Sequence, residues 1–287
     1  MLHPPRRCAV LGDPIEHSLS PALHRAAYAA VGLDWSYDAL RVTERELATF
    51  LDGLDETWRG LSLTMPLKRR VVPLLDELSP RATLAQAANT VLLGGGRRSG
   101  HNTDIPGAAA ALRKRWDGPV TSAVILGGGA TAASTLLALT DLGCREVTLV
   151  VRDEGRAAET VAAASRHREP PVVRIRGFDV AGVGGSDRAP LTADVLVSTI
   201  PAAAQTESVL ALAEGVAVIF EVLYDPWPTP LAAAAMSRGC PLVSGLDLLV
   251  HQAAEQFTLM TGIADAPVAA MRRAGERALT DRAPRAG

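Results

Sequence analysis

Short apolar runs alternate with longer amphipathic stretches along most of this chain. CAVLG at 8–12, WSYDALRV at 35–42 and RGLSLTM at 59–65 read as strands, being short, apolar-rich and bounded by turn residues. SPALHRAAYAAVG at 20–32 and TERELATFLDGL at 43–54 read as helices. Ser20 stands where an N-cap is expected, with Pro21 at the first helical position, and Thr43 and Glu46 have capping-box spacing. LKRRVVPLLDEL at 67–78 reads as a further helix, and GGG at 94–96 as the turn of a hairpin. After a helix at about 106–116, TSAVILGG at 121–128 is almost continuously apolar, as a strand buried on both faces requires. A helix at 131–142, the strand EVTLVVR at 146–152, a helix from about 155, and the strands VVRIRG, DVLVSTI and AVIFEVL follow, with loop at 177–190. A long helix begins after Gly245, and another from about 267. This alternation predicts an α/β fold with mostly parallel sheets, and 287 residues suffice for two domains.

Composition narrows the function more than the fold. A net charge of -2 and 4% aromatic residues give no footing for nucleic acid or an anionic membrane. No apolar run reaches the roughly 20 residues of a membrane span, and no secretory leader is evident in MLHPPRRCAVLGD. A cytoplasmic protein acting on a small molecule, as monomer or homodimer, is expected. Cys8, Cys144 and Cys240 are odd in number, widely spaced and not in CxxC pairs, so neither a disulfide framework nor a metal site is expected.

ILGGGATAAS follows one of the expected strands and opens a helix. Gly127, Gly129 and Ala132 fit the G-x-G-x-x-A pattern of a dinucleotide site. The first glycine allows the tight turn, the second lets backbone approach a pyrophosphate, and the small alanine lets helix and strand pack closely. The helix start offers free N–H groups to phosphate. The next strand ends in VVRDEGR. An acid there, Asp153, would suit the ribose 2′-OH of NAD; arginines, Arg152 and Arg156, would suit the 2′-phosphate of NADP. NADP is expected, with NAD as the alternative.

A second polar set gathers at strand ends and the loops after them, where open α/β sheets bind ligands. Ser18 and Ser20 lie two apart in GDPIEHSLSP; TMPLK, AANT and HNTD add Lys68, Asn89, Asn102 and Asp104. The set suits a small polyol or carboxylate. Lys68 is one of two lysines in a chain with 29 Lys and Arg residues. Lysine can yield a proton where arginine cannot, so Lys68 and Asp104 are an amine and a carboxylate for proton transfer.

GDPIEHSLSP, LTMPLK, ANT, NTD, the Gly-rich turn, STIP, YDPWPTPL and SGLDLLVHQA occur in an order that resembles the shikimate dehydrogenase family along nearly the whole chain. The resemblance implies reduction of 3-dehydroshikimate with NADPH, on the route to the aromatic amino acids. It implies that Ser18, Ser20, Thr64 and Tyr224 hold the substrate carboxylate, that Lys68, Asn89, Asp104 and Gln252 contact the ring hydroxyls, and that Lys68 and Asp104 are the catalytic pair. It also implies that Gly127, Gly128, Gly129, Ala130, Thr131, the segment from Arg152 through Asp153 to Arg156, Val222 and Gly245 line the cofactor. The implied architecture is a substrate domain (1–104 and 245–287) with a mostly parallel sheet, a Rossmann-like dinucleotide domain (105–244), and a cleft between them. Four departures from the family pattern stand out: Ser62-Leu63-Thr64 for Asn-Val-Thr, Ile105 for a glycine, Ala130 for a glycine, and Val151-Arg152-Asp153 for Asn-Arg-Thr.

Overall fold

The computed structural model describes residues 5–178 and 192–282, so the segment read as loop at 177–190 lies almost wholly outside the described residues. The chain forms two compact units: one runs up to Thr103 and resumes at Leu249, the other spans Asp104–Leu248.

The sheet of the first unit contains β1 (Arg7–Gly12), β2 (Ser36–Arg41), β3 (Trp58–Leu63), β4 (Glu77–Leu78), β5 (Thr90–Gly94) and β6 (Arg97–His101), in the order β2-β1-β3-β5-β6-β4. β1 pairs parallel with β2 and β3, and β4 parallel with β6. The hairpin β5–β6 enters antiparallel, its turn made by Gly95 and Gly96 at positive φ. Leu11, Leu61, Leu63, Leu67 and Val91 are buried in one apolar cluster on this sheet; each contributes about 1.5–3 kcal/mol by leaving water. Gly60 is required by close approach, since a Cβ there would lie 2.7 Å from Met260 Cγ.

Three local expectations are corrected in this unit. Helix α1 (Ser20–Ala30) has Leu19 at its N-cap, with Ser20 already helical, and it is Ser18 Oγ that accepts the Ser20 N–H at 3.3 Å. Helix α2 covers only Leu47–Asp52, although the Glu46 carboxylate does accept the Thr43 N–H and hydroxyl at 2.9 and 2.7 Å. The helix expected at 67–78 is the short α3 (Leu67–Arg70) followed by a 3₁₀ turn at Val72–Leu74. Pro73 lacks the N–H a continuing helix needs, and the chain must extend so that Glu77 and Leu78 can pair with Ser99 and Gly100. Helix α4 (Pro80–Ala85) then leads to β5.

The second unit starts with α5 (Asp104–Arg115) and is built on β7 (Ser122–Leu126), β8 (Glu146–Val151), β9 (Val172–Gly177), β10 (Ala193–Ser198), β11 (Val216–Glu221) and β12 (Leu242–Val243). The order is β12-β11-β10-β7-β8-β9, and every pairing is parallel. Helices α6 (Ala130–Asp141), α7 (Ala158–Ser165), α8 (Glu207–Ala211) and α9 (Pro230–Ser237) connect the strands. Ala123 to Leu126 are at most 2% exposed, as their apolar run predicts for a central parallel strand. The strand order reverses between β7 and β10, and a doubly wound sheet opens its ligand crevice at such a point.

Helix α10 (Gly245–Thr261) begins in the second unit and ends in the first, and α11 (Val268–Arg282) follows. Among the described residues no helix is long and apolar enough to cross a membrane. Burial pushes the thiols of Cys8 and Cys144 up to about 11, which leaves them the packing role their apolar strand contexts predict.

Candidate functional site

In the first unit, the loops leaving β1 and β3 are tied together. The Thr64 N–H donates to Leu11 O at 2.9 Å and the Asp13 N–H to Met65 O at 3.1 Å. Gly12 is needed here, because a Cβ would lie 2.4 Å from Thr64 Cγ2. Ser18, Ser20, Thr64 and Lys68 therefore follow the carboxyl ends of two neighbouring parallel strands. Arg282, near the end of α11, secures the serine loop by donating to His17 O at 2.9 Å.

Lys68 is half-buried, and its carbonyl accepts the Ala88 N–H at 2.8 Å. That bond sets its main chain beside Asn89, the centre of a buried polar cluster. Asn89 is 1% exposed and Gln252 6%. The Asn89 amide donates to Thr103 Oγ1 at 2.9 Å and to Gln252 Oε1 at 3.1 Å. Its Oδ1 accepts the Thr103 N–H at 2.8 Å and the Thr90 hydroxyl at 3.0 Å. Gln252 thus faces inward from α10. Asn102 has a scaffold role, donating to Ala87 O at 3.0 Å. A buried polar cluster this complete fixes its side chains in one arrangement, which suits the discrimination of hydroxyl positions on a substrate.

In the second unit, the turn after β7 has the form its glycines predict. Gly127 has φ 106°, and a Cβ on it would meet Thr199 Oγ1 at 2.4 Å. Its N–H donates to Val150 O at 2.9 Å, while the Thr160 hydroxyl holds Gly128 O at 2.8 Å. Gly129 is the N-cap of α6, and a Cβ on it would meet nothing within 4 Å. Ala130 and Thr131 open that helix half-buried. A twelve-residue helix starting on open glycine backbone fits a pyrophosphate.

The strand end at 152–156 has an unexpected division of labour. Asp153 Oδ1 accepts the Gly155 N–H at 2.9 Å and caps the 3₁₀ turn Glu154–Ala157. Its carboxylate is engaged by its own backbone. Arg152 is exposed and makes no hydrogen bond or ion pair among the described residues. The side chain of Arg156 lies outside the described residues. Further along the sheet, Gly245 packs directly on backbone: a Cβ there would be 2.4 Å from Val222 O and 2.5 Å from Leu223 O.

Glu221, the residue before Val222, is fully buried. Burial pushes its carboxyl up, against the Leu223 N–H, the Thr229 hydroxyl and the Gln205 amide that donate to it. These bonds, 3.1, 2.9 and 2.6 Å long, pin both ends of the turn that carries half-buried Tyr224.

The sequence profile of the shikimate dehydrogenase substrate binding domain matches residues 10–91, and that of the shikimate 5'-dehydrogenase C-terminal domain matches residues 245–274. The shikimate dehydrogenase (NADP(+)) of Moorella thermoacetica is 36% identical over 272 residues, covering 92% of this chain and 90% of its own. The chain belongs to the shikimate dehydrogenase family. Among solved members, the Mycobacterium tuberculosis shikimate dehydrogenase superposes with a TM-score of 0.84 at 39% identity, over 95% of this chain and 100% of that one. The Thermus thermophilus enzyme in complex with NADP(H) and shikimate gives a TM-score of 0.79 at 30% identity, over 95% and 99%.

Seen as a shikimate dehydrogenase, the chain gathers Ser18, Ser20, Thr64, Lys68, Asn89 and Gln252 in its first unit. Asp104 is the first residue of the second unit, directly after anchored Thr103, and Tyr224 lies further along that unit with the glycine turn, Arg152, Val222 and Gly245. Sequence reasoning missed Thr103, Gln256 and Glu221. Gln256 follows Gln252 by one helical turn, so helical spacing alone puts both on one face. Ser62, which stands for the family's asparagine, belongs to the same cluster through its 2.9 Å bond to Gln256 Oε1.

Proposed function

We propose that this chain interconverts 3-dehydroshikimate and shikimate with NADP(H); the relatives it matches are named shikimate dehydrogenase (NADP(+)). What supports this most directly is the Lys68 main chain bonded to Ala88, next to the buried Asn89–Thr103–Gln252 cluster. A lysine whose main chain is tied beside fixed amide groups suits a reaction at one hydroxyl of a polyol. The Ser18 and Ser20 hydroxyls, with Thr64 and Tyr224, hold the carboxylate; Asn89 and Gln252 read the ring hydroxyls. Lys68 delivers a proton to the C3 oxygen during reduction and recovers it during oxidation, and Asp104 steadies its ammonium. The Gly127–Thr131 turn, Arg152, Val222 and Gly245 hold the dinucleotide. NADP(H), when bound, exchanges the hydride. Because the Asp153 carboxylate is committed to its cap, Arg152 is left for the 2′-phosphate, which favours NADP over NAD. On this reading the first unit is the substrate domain and the second the dinucleotide domain. The three free thiols fit a reducing compartment such as the cytoplasm.

The test is an initial-rate matrix with shikimate and quinate against NADP⁺ and NAD⁺. Fastest turnover with shikimate and NADP⁺ is expected. A folded protein that turns over shikimate with neither nucleotide would refute the proposal, and a clear preference for NAD⁺ would refute the role of Arg152.

A further inference from the structure

The edge strand β9 carries two arginines on one face, and only one of them is answered by an acid. In the parallel register of β8 and β9, Glu146 stands beside Val172, Thr148 beside Arg174 and Val150 beside Arg176. Residues two apart share a face of a strand, so Glu146 lies on the face that carries both arginines. Arg174 Nη1 meets Glu146 Oε2 at 2.7 Å. Arg176 is half-buried and makes no hydrogen bond or ion pair among the described residues.

Its place in the sheet decides what this uncommitted cation can meet. Arg176 is the last residue but one of β9, at the carboxyl edge of the sheet. Arg152 comes two residues beyond Val150, its neighbour on β8. A strand spacing of about 4.8 Å and a rise of about 3.3 Å per residue put the Cα atoms of Arg176 and Arg152 about 8 Å apart. Arg152 is exposed and equally without a partner among the described residues. Like charges on neighbouring strands repel, and an anion between them turns that repulsion into attraction. The nearby acids are engaged elsewhere: Asp153 Oδ1 accepts the Gly155 N–H at 2.9 Å, and Glu146 holds Arg174 at the amino end of β8. The glycine turn suited to a pyrophosphate leaves β7, on the other side of β8 from β9. A dinucleotide seated on that turn has its adenosine ribose read at the end of β8, beside β9.

We infer that Arg176 is a second cation of the 2′-phosphate site: together with Arg152 it holds the phosphate monoester of NADP from the neighbouring strand, and so shares in the choice of NADP over NAD. This rests on the function proposed above. Two guanidinium groups suit a phosphate dianion, which has an oxygen for each. No printed bond of the described fold uses the Arg176 side chain, and the β8–β9 pairing is made by main chain, so its replacement leaves the sheet in place.

The test is calorimetric binding of 2′,5′-ADP and of 5′-AMP to wild type and Arg176→Met. Wild type should prefer 2′,5′-ADP by about tenfold or more, and R176M should lose about tenfold of that preference, the size of one charge-assisted hydrogen bond. Affinity for 5′-AMP should stay within about twofold. In steady state, KM for NADP⁺ should rise by the same factor while kcat and KM for NAD⁺ hold. R176Q decides by the same ratio should R176M fail to fold. A preference that survives unchanged in the variant would overturn the inference alone, as would an equal loss for both nucleotides, which would mark Arg176 as a support of the sheet edge. A wild type with no preference for 2′,5′-ADP would overturn the NADP reading along with it. Loss of the preference in the variant supports the inference even if shikimate proves not to be the substrate.

Discussion

Acidification offers a direct test of how His24 is held. The ring is fully buried on α1 and stacks on Tyr37 at a centroid distance of 4.1 Å. Burial pulls its pKa down from 6.5 to about 4, with the Gln256 bond pulling weakly the other way. Its Nδ1 has no partner among the described residues, so a second proton would be a buried charge with no acceptor. The unfolded chain takes up that proton near 6.5, the folded chain only near 4. Between those values the unfolded state binds more protons, so stability climbs with pH through this window. The contribution is complete above 6.5 and is lost as pH falls toward 4. At about pH 5 the loss attributable to this one group is about 2 kcal/mol, tending to about 3 kcal/mol in more acid solution. Urea unfolding across this range, on wild type and His24→Phe, isolates the effect. The phenyl ring keeps the stack and cannot ionise, while the remaining titrations cancel between the two proteins. The wild-type curve should fall below the variant's pH trend by that amount. Parallel curves would refute the claim that His24 is held neutral by burial.

Lys68→Ala should fold and still bind shikimate, measured by calorimetry, while kcat falls about 10²–10⁴-fold; turnover near wild type would remove Lys68 from the proton-transfer step. Arg152→Ala should raise KM for NADP⁺ about tenfold or more and leave KM for NAD⁺ unchanged, as expected for the loss of a charged contact to a 2′-phosphate. Equal effects on the two nucleotides would count against that contact. Gly245→Ala should lower stability by about 1–3 kcal/mol and weaken dinucleotide binding, because its methyl group would be driven into the Val222 and Leu223 carbonyls. Thermal unfolding and fluorescence titration would report both effects.

Where the chemistry of the chain is local, it was legible. TSAVILGG had to be a central strand because nothing in it tolerates water, and Gly127 and Gly129 announced a turn that side chains would obstruct. The limits of α3 were not legible, because they are set by a distant demand. The residues after Arg70 must extend to reach β6, and a two-residue strand carries no period of its own. Ser20 looked like a cap because of Pro21, but the helix starts one residue earlier than that reading requires, and Ser18 takes the bond instead. The cap made by Asp153 was readable in principle, since an aspartate two residues before a glycine is a common turn signal. The spacing of Gln256 from Gln252 was readable, but its bonds were not: its partners Ser62 and His24 are 194 and 232 residues away in sequence.

The first unit is interrupted in sequence, and the second is continuous. During synthesis the two therefore mature in the reverse of their order of appearance. The parallel sheet from β7 to β12 has all its strands as soon as residue 248 has emerged, and domains generally fold as units as they leave the ribosome. The strands from β1 to β6 are made first, yet Asn89 must wait 163 residues for Gln252, and Ser62 waits 194 for Gln256. Until then these side chains lack the partners that α10 brings. A nascent chain halted just after residue 248 would have the second unit complete and the first still lacking its closing helices.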